Sequence, residues 1–417
     1  MNRILRAALS RLVESGDLTI IDARGRRDRF GDGTGEPVAA RITDRATEYK
    51  LFANPELAFG EAYMDGRIVM EHGSVYDLID ILMRQDRARV MPALIAVRRG
   101  LRFLRRRLDQ LNVGLRARRN VAHHYDLDGR LYDLFLDEDR QYSCAYFEDP
   151  QTSLEEAQLA KKRHIAAKLD IRPGQRVLDI GSGWGGLALY IAERFGAEVV
   201  GITLSEEQLN LSRRRAAERD LSNRVSFELA DYRSLEGPFD RIVSVGMFEH
   251  VGIGYYHTYF EKVRDLLTED GIALIHTIGR NAPPGSTSPW IAKYIFPGGY
   301  IPALSEVMEA IEPTGLYVSD IEVLRLHYAE TIRHWRDRFE ANRDAARDLY
   351  DERFCRMWEF YLAGSEMSFR RDGMVNFQLQ LSKKVDTLPI TRTYMETVEQ
   401  QLRLKDAAIL EVGRAAE

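Results

Sequence analysis

The stretch 177–186, VLDIGSGWGG, runs from an apolar strand pattern through a glycine turn to a helix start. Gly181, Gly183 and Gly185 let the backbone pass close to a ligand at the positive end of the following helix. On its own, such a turn also suits a dinucleotide. Two features argue against one. From Gly181 the segment reads GSGWGG instead of GxGxxG, and Trp184 fills space that a pyrophosphate would need. The acid that would hold a ribose at the end of the next strand is also missing: GITLSEEQ puts Thr203 and Leu204 there, then Gln208. Thr203 and Gln208 suit a ribose by hydrogen bonding. In the ADY of 230–232, Asp231 offers a carboxylate for an exocyclic amine and Tyr232 a ring to stack on an adenine.

These residues need rigid elements beneath them. RVLDI (176–180), EVVGI (198–202), VSFELA (225–230), RIVSV (241–245) and GIALIHTIG (271–279) read as strands. Helical patterns lie between them, in GLALYIAERFG, from Ser205 to about Glu218, and in YYHTYFEKVRDLLTED. This alternation predicts an α/β fold with a doubly wound, mostly parallel sheet. A strand, a DxGxGxG turn, a helix, a polar end to the second strand and an acid after the third make up the S-adenosylmethionine arrangement of a Rossmann-like class I methyltransferase. Near the end, VNFQLQLSK (375–383) alternates Phe377, Leu379 and Leu381, as a half-buried edge strand would. The charged helical stretch 328–362 is placed outside the sheet.

The whole chain sets further bounds. Its 417 residues suggest two or three domains, and 45% hydrophobic with 29% charged residues is a globular composition. Two cysteines, Cys144 and Cys355, make no disulfide framework and point to a reducing, cytoplasmic setting. No run of 18 apolar residues occurs, and MNRILRAALSRLVESG reads as an amphipathic helix instead of a signal peptide. Residues 1–118 read as a smaller α+β accessory domain, 119–390 as the catalytic domain and 391–417 as a helical tail. In the accessory domain, LTII (18–21) and VAARIT (38–43) read as strands flanking a Gly-rich loop at 25–36, and a short helix starts at Pro55.

Residues 84–119 hold twelve arginines against two acids, Asp86 and Asp109, although the whole chain carries −5. Leu94, Val97, Leu101, Leu104, Leu108, Leu111 and Leu115 form a heptad stripe, and arginines fill much of the other face. The stripe can pack on its own protein or on a second subunit while the arginines face water. The same arginines can meet anionic lipid head groups. No base-reading motif appears, so nucleic acid is set aside as a partner, and no metal is expected.

VLDIGSGWGG, GITLSEEQ, DRIVSVGMFEHVG and LIHTIG, preceded by HHYDLDGRLYDLFLDEDRQYSCAYFED, closely resemble the cyclopropane-fatty-acid-phospholipid synthases and the related mycolic acid cyclopropane synthases. The resemblance covers about residues 119–385. More weakly, residues 1–118 resemble the accessory domain of members acting on whole phospholipids. The resemblance implies transfer of a methylene unit from S-adenosylmethionine to the cis double bond of an unsaturated phospholipid acyl chain. It also implies a homodimer held peripherally on the inner membrane face. An alkene attacking a sulfonium methyl leaves a carbocation, so the site needs a dry environment and a weak, well-placed base.

The family's base is a bicarbonate ion. The resemblance implies as its ligands Cys144 of YSCAYF, Glu249 of FEHVG, His276 of LIHTIG and Tyr328 of HYAETIRHW, with the backbone N–H near Ile278. Taken singly, Cys144 and His276 read as core residues, Glu249 as a capping or surface residue and Tyr328 as a packing residue. It is their joint match that points to chemistry. The implied cofactor contacts are Tyr142 and Ser143 at the methionine end and Gly181, Gly183 and Trp184 in the loop. Thr203, Leu204 and Gln208 follow on the ribose side, then Asp231 and Tyr232 at the adenine. Tyr256, Phe260, Tyr294 and Phe296 are candidates for an acyl tunnel. Two other readings stay open: C-methylation of the acyl chain to a branched fatty acid, and a non-catalytic membrane-binding protein.

Overall fold

The computed structural model describes residues 1–85, 93–110 and 128–416. They form two compact units: one of residues 1–109, 285–297 and 332–374, the other of 110–284, 298–331 and 375–417. The N-terminal unit thus also takes in two later segments of the chain.

The first unit holds a four-stranded sheet in the order β2-β1-β3-β4, with β1 Asp17–Ile21, β2 Arg27–Phe30, β3 Pro37–Ile42 and β4 Ile68–His72. The expected strands at 18–21 and 38–43 are present and pair in parallel. β2 lies inside the segment read as a loop. Its sequence, RDRF, buries only Phe30, so no apolar alternation announces it. Leu18, Ile20, Phe30, Val38, Ile42 and Ile79 contribute to the core of this unit.

The arginine-rich block forms the helix Ala93–Asp109. Its stripe does not pack on its own chain at the described positions. Val97, Leu101 and Leu104 are exposed, at 59%, 55% and 76%. Three arginines of the other face are tied to neighbouring elements: Arg98 donates to the carbonyl of Ala53, and Arg99 donates to Glu56 at 2.7 Å, as does Arg102 to the other oxygen of that carboxylate. Leu111, Leu115 and the arginines at 87, 89, 116, 118 and 119 lie outside the described residues.

The second unit is built on a seven-stranded sheet in the order β10-β11-β9-β8-β5-β6-β7. Its strands are β5 Arg176–Ile180, β6 Glu198–Thr203, β7 Val225–Leu229, β8 Phe239–Val245, β9 Leu267–Arg280, β10 Tyr317–Leu324 and β11 Met374–Ser382. β5 to β9 pair in parallel, and β10 with β11 antiparallel. Neighbouring residues of one strand enter different apolar clusters: Leu178, Ile242 and Ile275 in one, Val177, Val243 and Leu274 in the other. The sheet is therefore covered on both faces, as a doubly wound fold requires.

The expectation of a half-buried edge strand at 375–383 fails. β11 lies between β9 and β10, and every residue from Val375 to Ser382 is buried. Its polar alternates Asn376, Gln378 and Gln380 are each 1% exposed. They face buried polar partners instead of water, such as the Tyr394 hydroxyl near Gln380 at 2.6 Å. The stretch 328–362 forms helices at His327–Ala341, Arg343–Leu349 and Glu352–Arg371.

Candidate active site

The glycine turn follows β5. The amides of Gly181 and Ser182 donate to Ile202 O at 3.0 and 2.9 Å, which ties the turn to the end of β6. Gly185 starts the next helix at φ +83°, and a Cβ there would stand 2.7 Å from Phe227. That position has no room for a side chain and needs left-handed backbone. At Gly183, also at positive φ, a Cβ would meet nothing within 4 Å, so its open side faces a cleft.

One cleft is lined by Tyr142, Ser143, Gly181, Gly183, Trp184, Thr203, Leu204, Gln208, Asp231 and Tyr232. Those are all ten residues singled out for the cofactor. They come from the loop before the sheet and from the carboxyl ends of β5, β6 and β7, where doubly wound folds bind ligands. The Thr203 hydroxyl donates to Gln208 Oε1 at 2.8 Å, which presets two polar groups for a diol. Tyr142 packs edge-on against Tyr132 at 5.4 Å, and Tyr132 against Trp184 at 5.8 Å, so aromatic rings wall one end. Asp231 is already engaged, because Arg233 donates to it from its backbone at 3.1 Å and from its guanidinium at 2.9 Å. A carboxylate has enough lone pairs to accept an amine as well.

The cleft holds residues that the sequence reading missed, among them Lys161, Asp179 and His250. Lys161 sits in the charge run AKKRH, on the helix Leu154–Lys168, which is buried almost all round. Burial pushes the Asp179 carboxyl up to about 7, against the pull of Lys161.

The five residues expected around an anion do not line this cleft. Glu249 lies close by, in a segment whose Gly246, Met247, His250 and Val251 do line it. Burial raises the Glu249 carboxyl to about 7, with the Ile278 amide and the Thr277 hydroxyl opposing. The Ile278 N–H donates to Glu249 Oε1 at 2.6 Å, while Oε2 is buried without a hydrogen-bond partner among the described residues.

His276, in β9, is 1% exposed. The amides of Asn376 and Gln378 stand 3.1 Å from its two ring nitrogens. Burial holds its pKa down to about 3, so the ring is neutral and offers one donor and one acceptor. One of the two amides must therefore present its oxygen. A half-buried edge strand would turn Asn376 and Gln378 to solvent, and only the strand order reveals their role.

Cys144 is fully buried, its thiol donates to Ala145 O at 3.4 Å, and burial raises its pKa. Tyr328 is buried in the first turn of its helix. The loop after Cys144 is laced to that turn: the Ala145 N–H donates to Thr331 Oγ1 and the Phe147 N–H to His327 Nδ1, both at 3.0 Å. Of the tunnel candidates, Tyr256 and Phe260 belong to the core of the second unit, whereas Tyr294 and Phe296 lie in the first. Tyr294 donates there to Glu61 at 2.9 Å.

A mostly parallel seven-stranded sheet with this cleft at its carboxyl edge is the fold of the class I S-adenosylmethionine-dependent methyltransferases. The family model described as mycolic acid cyclopropane synthetase matches residues 114–379, and a domain of unknown function matches 8–92. The chain is 38% identical over 350 residues to the cyclopropane-fatty-acyl-phospholipid synthase of Escherichia coli strain K12, covering 84% of this chain and 89% of that one. It is 41% identical over 272 residues to a probable fatty acid methyltransferase of Pseudomonas putida, covering 63% and 68%. A solved cyclopropane synthase from Mycobacterium tuberculosis superposes with a TM-score of 0.61 at 33% identity, over 64% of this chain and 98% of that one. A mycolic acid cyclopropane synthase complexed with SAH and CTAB gives 0.60 at 34%, over 63% and 97%. The chain belongs to the mycolic acid cyclopropane synthetase family, and it is an S-adenosylmethionine-dependent enzyme.

Proposed function

We propose that this enzyme adds a methylene unit from S-adenosylmethionine across the cis double bond of an unsaturated phospholipid acyl chain, forming a cyclopropane ring. The observation that carries this reading is a buried carboxyl, Glu249, with one free oxygen in the segment that forms part of the cofactor cleft. The alkene electron pair attacks the sulfonium methyl carbon, and the C–S bond breaks with its electrons on sulfur. A proton then leaves the transferred methyl, and the C–H pair closes the ring. Glu249 suits this work because a carboxyl raised to about 7 is half protonated at neutral pH, which lowers its nucleophilicity while it can still hydrogen-bond a small anion.

The free Glu249 oxygen is open to hydrogen-bond a bicarbonate ion, which when bound would supply the weak base. Around it, Ile278 N–H and both His276 nitrogens are already hydrogen-bonded. Glu249 is therefore the first ligand in this proposal, with His276, Tyr328, Cys144 and Ile278 joining as their present bonds exchange. Incubation with monounsaturated liposomes and S-adenosylmethionine should add 14 mass units per chain and remove the alkene, without added reductant. A requirement for a hydride donor would defeat ring closure.

That outcome would favour the second reading, C-methylation to a branched chain. Relatives favour it too: the Pseudomonas putida protein above, and a tuberculostearic acid methyltransferase of Mycobacterium tuberculosis at 42% identity over 281 residues.

Among the described residues no helix is long and apolar enough to cross a membrane. We place the enzyme in the cytoplasm as a homodimer, peripheral on anionic lipid. The exposed Val97, Leu101 and Leu104 would enter the head-group region, with Arg105 beside them. Replacing Leu101 and Leu104 by Ser should then lower co-sedimentation with anionic liposomes severalfold, and unchanged binding rules this surface out.

A further inference from the structure

The helix Leu154–Lys168 carries five buried basic side chains. Four of them have carboxylate partners: Lys162 with Asp139 at 2.7 Å, Arg163 with Asp406 at 3.1 Å, His164 with Glu322 and Glu399 at 2.6 Å each, and Lys168 with Glu322. The fifth is Lys161, which is 1% exposed and lines the cofactor cleft. Its ammonium donates to two neutral oxygens, Gln141 Oε1 at 2.6 Å and Ser143 Oγ at 2.8 Å. No carboxylate reaches it within ion-pair distance among the described residues. A buried charge is normally paired, and an ammonium has three donors to use.

We propose that the missing partner of Lys161 is the α-carboxylate at the methionine end of S-adenosylmethionine. This rests on the reading of the cleft as the cofactor site. The hydrogen bonds around the lysine favour that use. Ser143 accepts from Lys161, so its own O–H is free to donate to the same carboxylate. Gln141 is held by Asp139, to which its amide donates at 3.0 Å, and the amide of Gln158 donates to Ser143 O at 3.0 Å. The loop and the lysine thus form one braced anion site in a cleft that also holds Asp179, a buried carboxyl with an unpartnered oxygen. A cation without an ion pair and an acid with an open oxygen match the two charged ends of an amino acid. Burial keeps the Lys161 pKa near 8, and pairing with an anion would raise it.

The competing role is purely structural: Lys161 would only brace the 141–143 loop. Calorimetry with S-adenosylmethionine and with its decarboxylated form separates the two roles, because the ligands differ only at the carboxylate. The wild-type protein should bind the full cofactor roughly ten- to hundredfold more tightly than the decarboxylated form. In Lys161→Gln that preference should vanish, through loss of affinity for the full cofactor alone. An equal loss for both ligands, or a preference that survives the substitution, overturns the proposal. Should the variant fail to fold, the wild-type comparison still decides, since a preference below about threefold overturns it too. If the wild-type protein binds neither ligand, the cofactor reading of the cleft falls first; if it binds both equally, only the Lys161 assignment falls.

Discussion

The cofactor cleft and the buried residues proposed as anion ligands use their polar groups in opposite ways. The cleft keeps hydrogen-bonding capacity open. Lys161 has a donor to spare, Asp179 has a free oxygen, and Gly183 faces empty space. The proposed anion ligands are mostly engaged, with Glu249 Oε2 left open. His276 is held on both nitrogens, Ile278 N–H is taken by Glu249, and the Cys144 thiol is spent on the neighbouring carbonyl. A preformed surface can bind its ligand as it stands, whereas a mostly self-satisfied cluster must trade bonds to admit one. Each trade is close to neutral only if the guest replaces what it displaces.

The largest effect should come from the one group of the cluster with a free oxygen. Glu249→Gln should lower turnover by roughly a hundredfold or more and leave S-adenosylhomocysteine affinity unchanged, if cleft and cluster are separate in function. A matching loss of cofactor affinity would erase the distinction. The substitution should also change the pH dependence of stability. The carboxyl rises from 4.5 in the unfolded chain to about 7 when buried, so it favours folding fully below pH 4.5. That advantage drains away as pH rises to 7, by about 3 kcal/mol, and is then constant. Denaturation at pH 5 and pH 8 should show a smaller loss in the Gln variant than in the wild type.

Next in size is the clamp on His276. Gln378→Leu would leave a ring nitrogen unpaired in a dry strand interior, at a cost of about 1–3 kcal/mol in stability. Turnover should fall with it while the cleft still binds S-adenosylhomocysteine. A variant as stable as the wild type would mean that the imidazole rotates to other partners, and that the cluster is less engaged than its bonds suggest.

How much of each region the sequence reveals follows from the same contrast. The cleft is built largely from a glycine turn and from residues at fixed offsets past strand ends, so local pattern points to Gly181, Gly183, Thr203, Gln208, Asp231 and Tyr232, while Tyr142 and Ser143 are reached only through the family resemblance. The partners inside the cluster come from afar. Asn376 and Gln378 lie about a hundred residues from His276, and their polar alternation along β11 looks like a solvent face. Lys161 is hidden by a different ambiguity: a helix buried on every side has no amphipathic stripe to show which of its charges turn inward. In the first unit the exposed stripe of helix Ala93–Asp109 makes the same point in reverse, because Glu56 and Ala53 hold Arg98, Arg99 and Arg102 by hydrogen bonds while Val97, Leu101 and Leu104 stay exposed.

A smaller effect is expected at Cys144, on the loop that serves both regions. Its thiol is buried and held in the protonated form, so it cannot act as a nucleophile. Cys144→Ser keeps a donor of similar size and should retain activity within about tenfold of the wild type. Complete loss of turnover in a folded variant would make the sulfur part of the chemistry and break the picture of a hydrogen-bonding cluster.

The smallest effect should come from the far end of that loop, where Tyr146 stacks between His164 at 4.2 Å and His327 at 4.9 Å. His164 bridges Glu322 of β10 and Glu399 of the C-terminal helix, with Lys168 one turn along. Burial opposes its charge, but the two carboxylates outweigh burial and raise its pKa above 6.5. Its contribution to stability is therefore complete below pH 6.5 and is lost as pH rises through the raised value. Glu322 is held low by the same contacts, so its share persists down into acid. The stability gap between the wild type and His164→Gln should then be widest near pH 6 and narrow towards pH 9. Because the stack anchors the loop carrying both Tyr142 and Cys144, turnover and cofactor affinity should drift together, by no more than a few-fold. A fall in turnover alone would mean that the loop serves the cluster more than the cleft.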